Sequence, residues 1–88
     1  MADTDHRVTV RYFAAARAAS GVPEEQVSVP SGSTLADLLR VVVDRHGAGL
    51  ERVLGRCSYL LDEVAVHGHD TPLPDGCAVD VLPPFAGG

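Results

Sequence analysis

The chain has 88 residues and a net charge of −5, and all seven of its basic residues are arginine. That length suits one small domain, and that charge argues against nucleic acid, which needs a clustered basic surface. A hydrophobic share of 45% beside 22% charged residues excludes a disordered chain.

Residues 1–7 (MADTDHR) read as a polar N-terminal tail with no apolar segment of a secretory signal. No apolar run is long enough to cross a bilayer, so a cytoplasmic protein is expected. VTVRYF at 8–13 then alternates, with Val8, Val10 and Tyr12 on one face and Thr9, Arg11 and Phe13 on the other. This is the pattern of a strand entering a core. AAARAAS has high helix propensity but stops at Gly21, and Pro23 blocks continuation, which predicts a short helical turn or irregular connection. EEQVSVP places Val27 and Val29 on one face, a second strand forming a hairpin with the first.

SGSTLADLLRVVVDRHG carries the strongest helix signal. Thr34 can cap the first turn, and Asp37 offers the capping-box carboxylate near the positive end of the dipole. Leu35, Leu38, Leu39, Val42 and His46 fall on one stripe, and Gly47 suits the C′ position. A weaker turn runs through Leu50, Val53 and Leu54. CSYLL (57–61), EVAV (63–66) and CAVDVL (77–82) read as strands, with Asp75-Gly76 as the turn before the last. In that strand Val79 and Val81 share a face, leaving Ala78, Asp80 and Leu82 on the other. Strand, strand, helix, then several strands is an α+β order: one mixed sheet covered on one face by the main helix. Residues 1–88 form a single domain.

Ordinary catalytic constellations are absent. His67-Gly68-His69-Asp70 resembles a ligand cluster, but its Gly and Pro surroundings make it a loop, and no metal site is expected. No phosphate-binding loop, dinucleotide fingerprint or nucleophile elbow occurs. Ser20, Ser28, Ser31, Ser33 and Ser58 have no base partner by spacing, and Asp62-Glu63 reads as a charged connection between strands. Cys57 and Cys77 match no zinc or redox spacing and read as reduced thiols, with a disulfide the minor alternative should their strands be neighbours. The chain does not look like a stand-alone enzyme.

Residues 82–88 (LPPFAGG) differ. Pro83 and Pro84 have fixed φ and follow the last strand directly, projecting an extended arm over 83–88. Phe85 offers an apolar anchor, Ala86 is small, and Gly87-Gly88 has almost no cross-section and can lie flat against a partner's backbone. The one reactive group this arm would deliver is the α-carboxylate of Gly88, a poor electrophile until a partner activates it.

LPPFAGG resembles the C-terminus of MoaD-like sulfur carriers, the small subunits of molybdopterin synthase, which with the ThiS-like carriers belong to a ubiquitin-like β-grasp superfamily. VTVRYFAAARAASG resembles the family's opening strand and turn. STLADLLRVV resembles its helix, and LPDGCAVDVLPPFAGG its closing turn, strand and tail. The resemblance implies a β-grasp sheet of about four or five strands with one main helix packed across it.

It also implies a mechanism. An E1-like enzyme using ATP would adenylate the carboxylate of Gly88, and a sulfur donor would replace AMP to leave a thiocarboxylate. A MoaD-like carrier would insert this arm, including Pro83, Pro84 and Gly87, into the large (MoaE-like) synthase subunit and give its sulfur to the pterin precursor. No cofactor would be bound by the chain itself. A ThiS-like or amino-acid-pathway carrier is the rival within the superfamily. A ubiquitin-like modifier, joining Gly88 to a target lysine, is the rival outside it.

By parity Phe13 and Leu82 face away from Val10 and Val81, and exposed apolar residues near a functional arm suggest an interface. In the family, positions matching Phe13, Leu82 and Val66 dock the activating enzyme and synthase; for Val66 a place at the rim of the core is the alternative. Two departures stand out: Cys77 follows Asp-Gly where the family commonly has an acidic residue, and Phe85 replaces a smaller aliphatic. The chain contains no lysine, so it offers no lysine side chain to an activated terminus, although an arginine- and alanine-rich composition accounts for the same fact.

Overall fold

The computed structural model describes residues 5–84. Its elements run β1 (Asp5–Tyr12), α1 (Ala14–Ser20), β2 (Glu24–Pro30), α2 (Leu35–His46), α3 (Ala48–Leu54), β3 (Ser58–Leu61), β4 (Val64–Val66) and β5 (Ala78–Leu82). The five strands form one mixed sheet in the order β2-β1-β5-β3-β4. β1 and β5 are parallel at its centre, and the other pairs are antiparallel.

The two faces of the sheet are unlike. Val8, Val10, Tyr12, Val27, Val29, Tyr59, Val79 and Val81 are buried on one face, against Leu35, Leu38, Leu39 and Val42 of α2 and Leu50 and Leu54 of α3. Removing these side chains from water drives folding at about 25 cal/mol per Å² of apolar area. The opposite face carries Arg7, Thr9, Arg11, Gln26, Ser28, Leu60, Ala78, Asp80 and Leu82. Among the described residues no helix covers this face, and most of its residues are polar or half-buried.

α2 begins as its sequence predicts. The Asp37 N–H donates to Thr34 Oγ1 (3.3 Å), and the Thr34 N–H donates to Asp37 Oδ2 (2.9 Å), a complete capping box. Two further N–H groups at this helix start are satisfied by the long β4–β5 loop: Leu35 donates to Thr71 O and Ala36 to His69 O. Leu73 of that loop is buried in the core.

Several expectations are corrected. The sheet is covered by three helices, not by one main helix. α1 is a two-turn helix because Ala16 buries against the core and Gly21, at φ 82°, closes it in the left-handed conformation. α3 is a helix because Leu50 and Leu54, one turn apart, both reach the core. Gly47 ends α2 as the sequence predicts, its N–H donating to Val43 O, and its positive-φ, extended conformation (φ 98°, ψ −171°) also starts α3. The polar segment 1–7 is not all tail either. β1 starts at Asp5, held by pairing with β2, by His6 Nδ1 on Leu73 O and by the Arg7 N–H on Asp75 Oδ1.

Candidate functional site

The base of the arm is fixed by the centre of the sheet. β5 is hydrogen-bonded on both edges, to β1 and β3, and Val79 and Val81 anchor it in the core. Its direction at Leu82 is therefore set, and the chain emerges into the exposed Pro83 and Pro84. The missing N–H of each proline ends the ladder here. Phe85, Ala86, Gly87 and Gly88 lie outside the described residues.

Phe13 sits beside this exit. Its N–H donates to Val81 O (3.0 Å), tying the end of β1 to the end of β5. The residue is 42% exposed, high for a large apolar one. Phe13, Ala14, Ala15, Val53 and Cys57 line an open groove of about 360 Å³ between α1 and α3, with Pro83 and Pro84 along one side and Arg52 and Arg56 also lining it.

Leu82 lies half-buried on the uncovered face. Leu60 belongs to that face too, since its strand partner Asp80 lies two residues before Leu82, and Ala65 pairs with Leu60. These three and Ala78 are the apolar residues of that face. Val66 is elsewhere. It pairs with Tyr59, projects to the helix-covered face and packs against the core. Of the three docking positions read from the sequence, the structure brings Phe13 and Leu82 to the base of the arm and puts Val66 at the rim of the core.

Leu60 was not singled out by sequence reasoning, although its parity in CSYLL, opposite to that of Tyr59, is a usable signal. Arg52 and Arg56 carry no such signal, because what places them is the packing of α3 against α1.

Charge fixes the neighbourhood. Arg11 Nε donates to Asp80 Oδ1 at 2.6 Å across the parallel pair, and this hydrogen bond, reinforced by the charge of Asp80, pushes the guanidinium further up. On the covered side, Glu25 accepts from the Tyr12 hydroxyl (2.6 Å), contacts His46 Nε2 (2.6 Å) and accepts from Arg45 Nη1 (3.1 Å). Burial alone would raise the Glu25 carboxyl, but the bonds from Tyr12, His46 and Arg45 outweigh it and hold the group below its ordinary range. Burial, then Glu25, pushes the Tyr12 phenol far up, so it remains a donor. The network ties β1, β2 and the end of α2 together.

The other candidates have structural roles. His69 stacks edge-on against Tyr59 (5.5 Å between centroids), and its carbonyl caps α2. Among the described residues no group of three or more His, Cys, Asp or Glu is placed to hold a metal. Ser20 bonds the backbone of Arg17 and Val22. Asp62 and Glu63, at φ 47° and 71°, form the two-residue turn between β3 and β4. Cys57 and Cys77 are free, and burial pushes both thiols up. No helix among the described residues is long and apolar enough to cross a membrane.

Comparison with known proteins matches the ThiS family model to residues 10–88, which includes both Phe13 and the arm. No curated protein gives a match. Several solved structures are similar. A protein assigned as molybdopterin converting factor, subunit 1, from Pyrococcus furiosus is 28% identical, over 91% of this chain and 99% of that one, with a TM-score of 0.78. Small archaeal modifier protein 1 from Methanosarcina acetivorans is 26% identical, over 97% and 99%, at 0.78. A chain in the complex of subunits 1 and 2 of molybdopterin-converting factor from Helicobacter pylori is 30% identical, over 93% and 99%, at 0.62.

Proposed function

The chain belongs to the ThiS family of ubiquitin-like β-grasp sulfur carriers, and from that premise we propose that it carries sulfur on Gly88 as the small subunit of a molybdopterin synthase. The observation that carries this reading is the exit of the arm. A rigid central strand delivers the exposed Pro83-Pro84 pair beside the apolar Phe13 and Leu82, and the family match runs on to Gly88.

The chemistry follows from the group delivered. A carboxylate resists attack, so an E1-like partner would use ATP to convert Gly88 to an acyl adenylate, expelling pyrophosphate. Hydrosulfide delivered by a sulfur donor would then attack the acyl carbon, and AMP would leave to give a thiocarboxylate. In the synthase, that sulfur would pass to the pterin precursor and return Gly88 as a carboxylate. The protein's own contribution is position: the sheet fixes where the arm starts, the prolines stiffen it, and the glycines admit it to a narrow channel.

Similarity to a complex of subunits 1 and 2 favours a large-subunit partner. Similarity to small archaeal modifier protein 1 favours a second reading, in which the activated Gly88 is joined to a lysine of another protein.

Complementation separates them. The wild-type chain is expected to restore molybdopterin synthesis to cells lacking their own small subunit, and a chain with one residue appended after Gly88 to fold normally but fail. Failure of the wild type, together with Gly88-linked adducts on other proteins, would replace the synthase reading with the modifier reading.

A further inference from the structure

The groove between α1 and α3 combines an apolar lining with two arginines. Three of the chain's arginines are committed: Arg11 to Asp80, Arg40 to Asp37 and Arg45 to Glu25. Arg52 and Arg56 are exposed and form no ion pair among the described residues, and both line this groove. They stand one helical turn apart, because Gly55 between them keeps the right-handed helical conformation (φ −62°, ψ −16°). In a chain of net charge −5, two uncommitted guanidinium groups in one groove form a local positive site.

The groove is also continuous with the arm. Pro83 and Pro84 line it together with residues of the helices, so a partner that grips the arm close to its base also covers the groove and faces Arg52 and Arg56. Guanidinium groups buried in that way require acceptors, since an unpaired charge removed from water is costly. The planar fork of arginine suits carboxylates. Phe13, Ala14, Ala15 and Val53 suit an apolar side chain.

We propose that this groove is a docking site for an acidic–apolar segment of the activating enzyme: one apolar side chain against Phe13 and Val53, flanked by carboxylates that pair with Arg52 and Arg56. The inference rests on the sulfur-carrier reading. It adds a charged second grip, separate from the apolar area at Leu82 and Leu60.

The test uses the full chain with the E1-like adenylating enzyme from the same organism. Binding is measured by calorimetry, and thiocarboxylate formation by intact mass with a sulfur donor present. Arg52→Glu with Arg56→Glu is expected to weaken binding at least about tenfold and to raise KM with kcat little changed, as loss of a docking contact does. Arg7→Glu, at the far end of β1, is the matched control and is expected to change neither. Added salt should weaken wild-type binding and leave the double variant nearly unaffected. Unchanged circular dichroism verifies the fold, and Arg52→Gln with Arg56→Gln should give an intermediate loss.

If the wild type is thiocarboxylated and the reversed variant binds and reacts as well, the groove proposal fails and the carrier reading stands. If the reversed variant reacts faster, the arginines hold the chain's own terminal carboxylate, and the proposal is likewise overturned. If the wild type neither binds nor gains sulfur, both readings fall.

Discussion

Arg11 and Asp80 are joined at 2.6 Å across the parallel β1–β5 pair, each two residues before the apolar residue its strand brings to the base of the arm, Phe13 and Leu82 respectively. The pair holds in register the two strand ends from which the arm and its flanking surface start. Asp80 is nearly buried while Arg11 is partly exposed, so the bond is shielded on one side only. Asp80→Asn keeps the shape and removes the charge. A modest fall in the urea midpoint at unchanged m-value is expected, smaller at high salt; equal loss at all salt concentrations would assign the effect to packing.

Glu25 sets an acid limit on stability. Its carboxyl titrates below its ordinary 4.5 in the folded protein. A group with a depressed folded pKa stabilises above its unfolded value, and that stabilisation is lost as pH falls through the folded one. Stability should therefore decline below about pH 4.5. Asp37 contributes in the same direction, through its hydrogen bonds from the Thr34 backbone and hydroxyl. Urea titrations of Glu25→Gln at a series of pH values should show a shallower acid slope and a lower plateau at neutral pH. An unchanged slope would remove Glu25 from the account.

Leu73 tests whether the long β4–β5 loop belongs to the core. It is 2% exposed, and its N–H donates to Ser33 O. Leu73→Ala should cost about 2–5 kcal/mol in chemical denaturation, the range for a buried leucine. A cost under about 1 kcal/mol would mean the loop is only surface-bound.

Glu63 stands at φ 71°, following Asp62 at 47°, in a turn whose second position favours glycine. Glu63→Gly is expected to stabilise by roughly 1 kcal/mol by removing a left-handed side-chain conformation. Destabilisation would show that the Glu63 side chain supports the hairpin.

These residues also show what a sequence discloses. The faces of β1 and β5 and the capping box of Thr34 and Asp37 were legible because each depends on periodicity or spacing within a few residues. α1 reads in the sequence only as a short helical turn or irregular connection, and α3 as a weak turn, because seven-residue helices have little stability of their own and exist through the burial of Ala16, Leu50 and Leu54. Leu73 was hidden by the prolines on either side of it, which mark a loop without saying where it packs. Val66 and Leu82 are both apolar residues at the ends of their strands, and only the pairing of β3 with β4 and β5 puts them on opposite faces. The site divides similarly. Pro83 and Pro84 were visible as an exit from a strand, whereas the groove with Arg52 and Arg56 arises from long-range packing.

The most direct test of the central claim is the intact mass of the chain after co-expression with an E1-like activating enzyme and a sulfur donor. A gain of about 16 Da is expected, the exchange of one oxygen for sulfur, located by fragmentation at Gly88 and absent when Gly88 is followed by an extra residue. An unchanged mass, or a gain located at Cys57 or Cys77 instead, would contradict it.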